Sequence, residues 1–174
     1  MKSAMLKAIS LAVTLAITAL APPALARQSG PIGAQGRWTL DLSASQFNEA
    51  LTGAAPTTAE LDITKDTGAA LAWTLVEEDA EGVAAIQFAD TALDGRATRA
   101  VVNMTLVEIS ATRDGSNGVV VVTKGKAGRH HSMKVWLADP DTIRIEQEVD
   151  GLPGPPDQTL TFRRIKTGGP TTAR

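Results

Sequence analysis

The sequence predicts an all-β fold, an antiparallel up-and-down β-barrel of about 8–10 strands. Apolar and polar residues alternate along most of the segment 36–166, as they do in strands that bury one face. Turn sequences such as Asp94-Gly95 and the run 113–118 recur at intervals of roughly 8–12 residues. Helical periodicity is almost absent. Because so long a meander would otherwise expose two edges, we expect the sheet to close on itself.

The first 26 residues have the pattern of a secretory signal peptide. Lys2 and Lys7 precede an apolar run over 9–21, and Ala24-Leu25-Ala26 is an A-x-A cleavage sequence. The apolar run is shorter than the ~20 residues that a membrane-spanning helix needs. We therefore expect cleavage near Ala26, a periplasmic or secreted product and no membrane span.

Composition excludes several classes of function. The 174-residue chain has a formal net charge of -2 and no cysteine. The balanced charge argues against nucleic-acid binding, and the absence of cysteine removes disulfides and thiolate metal sites. We find no G-x-S-x-G, H-E-x-x-H, P-loop or G-x-G-x-x-G sequence. We therefore expect neither a cofactor nor a metal.

The domain begins after a Gly- and Pro-containing stretch, 27–35, that reads as a flexible lead-in, and it precedes a disordered tail over 167–174. The least strand-like stretch inside it is 43–56, where we expect a short helix with Ser45 as its N-cap. Apolar alternation predicts about nine or ten strands, centred on Trp38–Leu42, Leu61–Ile63, Leu71–Leu75, Ala84–Phe88, Val101–Ala111, Val119–Thr123, Met133–Leu137, Ile143–Val149 and Leu160–Phe162.

The start of the first strand, Gly36-Arg37-Trp38, resembles the Gly-x-Trp signature of the lipocalins (calycins). The resemblance implies that Trp38 closes one end of the barrel and that a basic residue of the last strand packs across its ring. Arg164 shares a face with Leu160 and Phe162, which makes it the candidate for that residue.

The wider string 36–47 is similar to the opening of small secreted bacterial proteins with lipocalin-like barrels, a largely uncharacterised family. Asp41 stands where those proteins usually have Asn, and Ala44 where they usually have Lys. The resemblance implies a barrel and a tendency to hold apolar ligands, but no reaction.

Strand alternation selects the side chains that we expect to line a cavity inside the barrel. His131 falls on the same face as Met133 and Val135, whereas His130 falls on the opposite face. Gln147 shares the apolar face of Ile145, where a buried amide needs a partner. The expected ligand-binding set is Trp73, Phe88, Met104, His131, Met133, Val135, Ile145 and Gln147.

Three functions are compatible with these residues. The first is an exported binding protein for a small, largely apolar molecule, with loops 43–56 and 151–156 near the mouth. The second is an enzyme on the same barrel, with His131 as the acid–base residue. The third is an envelope interaction module with a filled barrel that binds through an outer face around Trp136. The sequence does not decide whether a reaction is catalysed, nor the oligomeric state.

Overall fold

The computed structural model describes residues 30–52, 54–124, 130–149 and 155–166. The signal peptide expected over 1–26, the tail expected over 167–174 and most of loop 151–156 lie outside the described residues. The strands are β1 (Gly36–Leu40), β2 (Thr58–Asp66), β3 (Ala70–Asp79), β4 (Gly82–Ala92), β5 (Thr98–Val102), β6 (Thr105–Asp114), β7 (Gly118–Lys124), β8 (His130–Asp139), β9 (Thr142–Val149) and β10 (Gln158–Arg164).

The ten strands form one closed antiparallel barrel in which each strand pairs with its neighbours in sequence. β1 closes the ring by pairing with both β2 and β10, and Trp38 lies opposite Arg164 across the β1–β10 ladder. This architecture confirms the predicted up-and-down barrel. Within the described ranges, no helix has the length and apolar character needed to cross a membrane.

The core lies inside the barrel and consists of the inward-facing residues of alternate positions. β2 turns Leu61 and Ile63 inward, and β9 does the same with Ile143 and Ile145. The largest fully buried side chains include Trp38 and the side chains of Phe162, Ile63, Ile109, Ile143, Ile145 and Leu160. Period-2 alternation therefore produces one water-poor interior shared by all sides of the ring.

The connection between β1 and β2 supplies hydrogen bonds to β10 beyond the end of β1. It contains a short 3₁₀ turn over Leu42–Ala44 and one helix, α1 (Glu49–Thr52). Gln46 and Thr159 exchange backbone hydrogen bonds of 2.7 and 2.9 Å. The predicted short helix is confirmed. The predicted N-cap, Ser45, is wrong, because α1 begins only at Glu49.

The N-cap of the 3₁₀ turn is Asp41, whose carboxylate accepts from the backbone N–H of Ala44 at 3.3 Å. Ser45 lies at the other end of that turn, and its hydroxyl accepts from the backbone N–H of Thr161 at 2.9 Å. Ser45 is therefore held by β10 rather than by a following helix.

One end of the barrel, which we call the sealed end, is covered by residues 30–35. The Asp66 carboxylate accepts hydrogen bonds from three successive backbone N–H groups, those of Ile32, Gly33 and Ala34, at 3.0, 2.8 and 2.8 Å. Ile32 and Ala34 are buried in the core. The described part of the expected flexible lead-in is therefore packed against the barrel, because a carboxylate distant in sequence satisfies its backbone.

Arg164 and Trp38 complete the sealed end in the arrangement that the resemblance implies. The guanidinium carbon of Arg164 lies 4.0 Å from the centre of the Trp38 ring. The indole N–H of Trp38 donates to the carbonyl of Ala34 at 2.9 Å. The guanidinium also donates to the backbone carbonyls of Gly33, Gln35 and Pro140 at 2.9, 2.8 and 2.9 Å.

Gly36 lets Arg164 approach the first strand closely. It has a φ of +132°, and a Cβ placed there would lie 3.0 Å from Nη1 of Arg164. Gly82, the first residue of β4, has a similar φ of +128°, but no atom lies within 4 Å of a Cβ placed there.

We expect Gly36→Ala to lower the free energy of unfolding by about 1–3 kcal/mol through backbone strain, and to lower it further by displacing Arg164. Gly82→Ala is the matched control, since it introduces comparable backbone strain without the contact. Chemical denaturation of both variants measures the difference, and equal losses would show that the close approach to Arg164 does not matter.

Candidate ligand-binding site

The deep interior of the barrel is apolar and nearly filled. The cavity there measures about 10 Å³, which is no more than the space for one water molecule. Its lining residues are Leu61, Ile63, Leu71, Trp73, Leu75, Gln87, Val121, Met133, Val135 and Ile145. Trp73, Met133, Val135 and Ile145 therefore face inward as predicted, but they pack against one another instead of enclosing the chamber that we expected.

A cavity inside the barrel lies at the opposite end from the sealed end, and we call it the mouth cavity. Its volume is about 150 Å³, comparable to an engineered protein cavity of ~150 Å³ that holds benzene. It is lined by Leu75, Glu77, Ala85, Ile86, Gln87, Val102, Asn103, Thr123, His131 and Gln147. The mouth cavity therefore combines an apolar floor with several polar side chains, a combination typical of ligand sites.

Strand register explains why this volume is open. Glu77 follows Leu75 on the inward face of β3, and its cross-strand neighbours are Ala59 on β2 and Ala85 on β4. Two alanines beside a longer side chain leave space that larger residues would fill. The polar layer thus begins directly above the packed apolar layer.

Glu77 is the acidic group of the mouth cavity. Burial raises the pKa of its carboxyl above the ordinary value of 4.5. Among the residues that the structure describes, neither a cation nor a hydrogen-bond donor pairs with its carboxylate. The carboxylate is thus partly desolvated and directed at open volume, an unfavourable state for a charged group.

His131 and Gln147 lie together on the other side of the mouth cavity, on β8 and β9. Burial lowers the pKa of His131, and a hydrogen bond with the Gln147 side chain and the charge of Asp157 oppose this shift. Gln147 Oε1 also accepts a long hydrogen bond of 3.4 Å from Gln158. The prediction that His131 and Gln147 face the inside of the barrel is therefore confirmed. Because its pKa is lowered, the His131 imidazole is neutral at neutral pH.

Gln87 connects the polar layer to the packed layer below it. Its Oε1 accepts from the indole N–H of Trp73 at 3.3 Å. This bond fixes the side-chain amide at the boundary between the floor and the mouth, and it makes the Trp73 indole a natural reporter of events in the mouth cavity. On the rim, Asn103 Oδ1 accepts from the backbone N–H of Ile86 at 3.0 Å.

The predicted inward positions of Phe88 and Met104 were wrong. Their exposed fractions are 55% and 85%. Phe88 pairs with Val101 on the outer face, whereas the inner face of β4 carries Gln87 and Ala89. The outer face of β4 is more apolar than its inner face. The rule that apolar residues face the interior therefore assigned the two faces of this strand the wrong way round. Met104 lies in the two-residue turn between β5 and β6, with a φ of +58°.

Sequence reasoning missed Glu77, Gln87 and Asn103. Glu77 lies two positions after Leu75, so strand alternation alone would have directed it inward. Glu77 belongs with Glu78, Asp79 and Glu81 to an acidic stretch of sequence, and charged side chains usually face solvent. Gln87 was missed with the rest of the inverted β4.

The outer face around Trp136 is occupied by neighbouring side chains. Lys134 Nζ lies 5.6 Å from the centre of the Trp136 ring and forms a 2.8 Å salt bridge with Asp114. Trp136 is half-buried in this arrangement. Within the described part of the chain, no group of three or more His, Cys, Asp or Glu side chains is placed to hold a metal ion.

Fold and site together define a ten-stranded antiparallel barrel that is sealed at one end and has a polar cavity at the other. No protein-family model matches the chain, and no curated protein matches it. The geometry of the mouth cavity is therefore the basis on which a function is inferred.

We expect Glu77→Gln to stabilise the protein at pH 7 and to have little effect at pH 3. A carboxyl whose pKa is raised by folding favours the folded state below pH 4.5, and this contribution is lost as pH rises through the raised pKa. The free energy of unfolding, measured by denaturation at both pH values, tests this. Glu78→Gln, on the exposed face of the same strand, is the control; an equal pH response in both variants would contradict the assignment.

His131 gives a pH effect of the opposite sign. Because burial lowers its pKa below 6.5, folding is favoured above pH 6.5 and this contribution is lost as pH falls through the lowered pKa. We expect His131→Gln to reduce the loss of stability between pH 7 and pH 5, with the exposed His130→Gln as control. A wild-type pH dependence in H131Q would disprove it.

Proposed function

We propose that this protein is a binding protein that holds a small molecule in the mouth cavity. The observation that carries the proposal is the 150 Å³ cavity at one end of a barrel whose deep interior is filled and whose other end is sealed. A binding site of this kind needs an apolar surface for burial and a few polar groups for orientation. Leu75 provides the first, and Glu77, Gln87, His131 and Gln147 provide the second.

The volume limits the ligand. A cavity of this size accommodates a ring of about six heavy atoms with a short substituent. The sequence alone favoured a largely apolar molecule deep in the barrel. The packed interior and polar mouth favour instead a compact ligand that buries an apolar part against Leu75 and Val102 and presents a polar group to the rim.

We further propose that the protein is exported and related to the lipocalin-like barrels. The signal-peptide pattern over 1–26 supports export to the periplasm or beyond. The stacking of Arg164 on Trp38, with Gly36 beside them, supports the relationship.

Binding is favoured over the two alternatives by particular contacts. An interaction module with a filled barrel would not account for a cavity lined by desolvated polar groups. The outer face proposed for such a module is partly covered, because the ring of Trp136 already interacts with Lys134. An acid–base histidine is commonly oriented by a hydrogen bond to a carboxylate, whereas the side chain that hydrogen-bonds His131 is the amide of Gln147. The nearby carboxylate of Asp157 accepts instead from the backbone N–H of Val149 at 2.7 Å. These groups are suited to orienting a ligand.

The proposal is tested by closing the cavity. We expect benzyl alcohol, a neutral probe with a ring and a hydroxyl, to shift the NMR signal of the Trp73 indole N–H in the wild-type protein. Ala85→Phe fills the mouth cavity and is expected to abolish this shift. Phe88→Ala, which removes an exposed ring from the same strand, is expected to preserve it.

Two results would contradict the proposal. One is an unchanged titration in A85F, which would place the probe elsewhere. The other is a loss of the shift in F88A with retention in A85F, which would place binding on the outer face.

A further inference from the structure

We infer that the mouth cavity is selective for small organic cations such as primary amines, with the Glu77 carboxylate as their counter-ion. This inference rests on the proposed binding function and adds the chemical class of the ligand. It depends on where Glu77 points, on what surrounds it, and on the charges of the other lining residues.

Glu77 has no counter-ion among the described residues, whereas several carboxylates on the outside of the barrel do. Outward-facing acidic residues on several strands have a basic partner close by. The pairs are Glu60 with Arg37 at 2.8 Å, Asp90 with Lys65 at 2.7 Å, Asp114 with Lys134 at 2.8 Å, and Asp41 with Arg163 at 3.0 Å. Glu77 instead faces open volume between Ala59 and Ala85.

A carboxylate desolvated without a partner destabilises the fold, and a cation bound beside it offsets part of that penalty. Replacing Glu77 by an uncharged residue would remove that penalty without disturbing the packed layer below. The sequence nevertheless has a carboxylate at this position. A cationic ligand that pairs with it would account for its presence.

The remaining lining residues carry no fixed positive charge. The single basic group among them is His131, which burial holds in its neutral form at neutral pH. An anionic ligand would thus meet Glu77 with no guanidinium or ammonium group to offset the repulsion. A cation meets one carboxylate, and the hydroxyl-bearing side chain of Thr123 also lines the cavity.

Shape selects among cations. The alanines beside Glu77 leave room for an ammonium group, and Leu75 and Val102 offer apolar contact to a ring or short alkyl chain. A benzene-sized ring bearing an aminomethyl group fits the volume of about 150 Å³.

The test uses three probes of nearly equal size that differ in charge: benzylamine (cation), benzyl alcohol (neutral) and benzoate (anion). Each is titrated into the full mature protein at pH 7.5, and dissociation constants are obtained from the indole N–H signal of Trp73. We expect benzylamine to bind about tenfold more tightly than benzyl alcohol, and benzoate to bind more weakly than either.

Glu77→Gln is expected to remove the preference for benzylamine, so that benzylamine binds no more tightly to the variant than benzyl alcohol does. Glu78→Gln, on the outer face of β3, is the matched control and should keep the wild-type order. Glu77→Ala provides a second variant that removes the charge. Dispersed amide spectra establish that all three variants fold.

The outcomes separate this inference from the proposed function. Equal affinities for benzylamine and benzyl alcohol in the wild type, tighter binding of benzoate, or an unchanged preference in E77Q would overturn the cation assignment and leave a small-molecule site. Failure of all three probes to move the Trp73 signal at millimolar concentration would overturn both.

Discussion

The contact of Arg164 with Trp38 helps to close one end of the barrel, so that the interior can be reached only from the other end. A guanidinium stacked 4.0 Å from an indole ring contributes an attraction of about 0.5–2 kcal/mol. The same guanidinium donates to three carbonyls that belong to the N-terminal segment and to the turn between β8 and β9. First strand, last strand and N-terminal segment are thereby joined at one end, and access to the interior is left to the other.

The free volume inside the barrel is not uniform but increases along the barrel axis towards the mouth. Inward side chains such as Trp73, Met133 and Ile145 fill the deep part, where the remaining cavity is about 10 Å³. Towards the mouth the inward residues become polar or small, and the free volume rises to about 150 Å³. The change occurs over one inward step on β3, from Leu75 to Glu77. A closed barrel can thus be both well packed and able to bind, because packing and binding occupy different layers.

Strand alternation predicted the closed barrel and much of the site. It placed His131 and Gln147 inward, and it placed Arg164 on the face that contacts Trp38. These predictions hold because the inner and outer faces of β8, β9 and β10 differ clearly in polarity. The method was wrong on β4, where Ile86 and Phe88 make the outer face more apolar than the inner face of Gln87 and Ala89.

Two further features depend on contacts between distant parts of the chain. Residues 30–35 read as a flexible lead-in because their composition gives no sign of Asp66, which satisfies their backbone from more than thirty residues away. The filled interior depends on how side chains from many strands interdigitate, a quantity that composition does not contain. The partition of volume between interior and mouth was therefore beyond the reach of the sequence.

The position of a bound probe tests the central claim most directly, namely that the mouth cavity is the binding site. Intermolecular nuclear Overhauser effects between benzylamine and the side chains of a selectively methyl-labelled protein report that position. We predict contacts from the ring protons to the methyl groups of Leu75 and Val102 and to Thr123. Contacts confined to Leu106 on the outer face, with none to Leu75, would contradict the account.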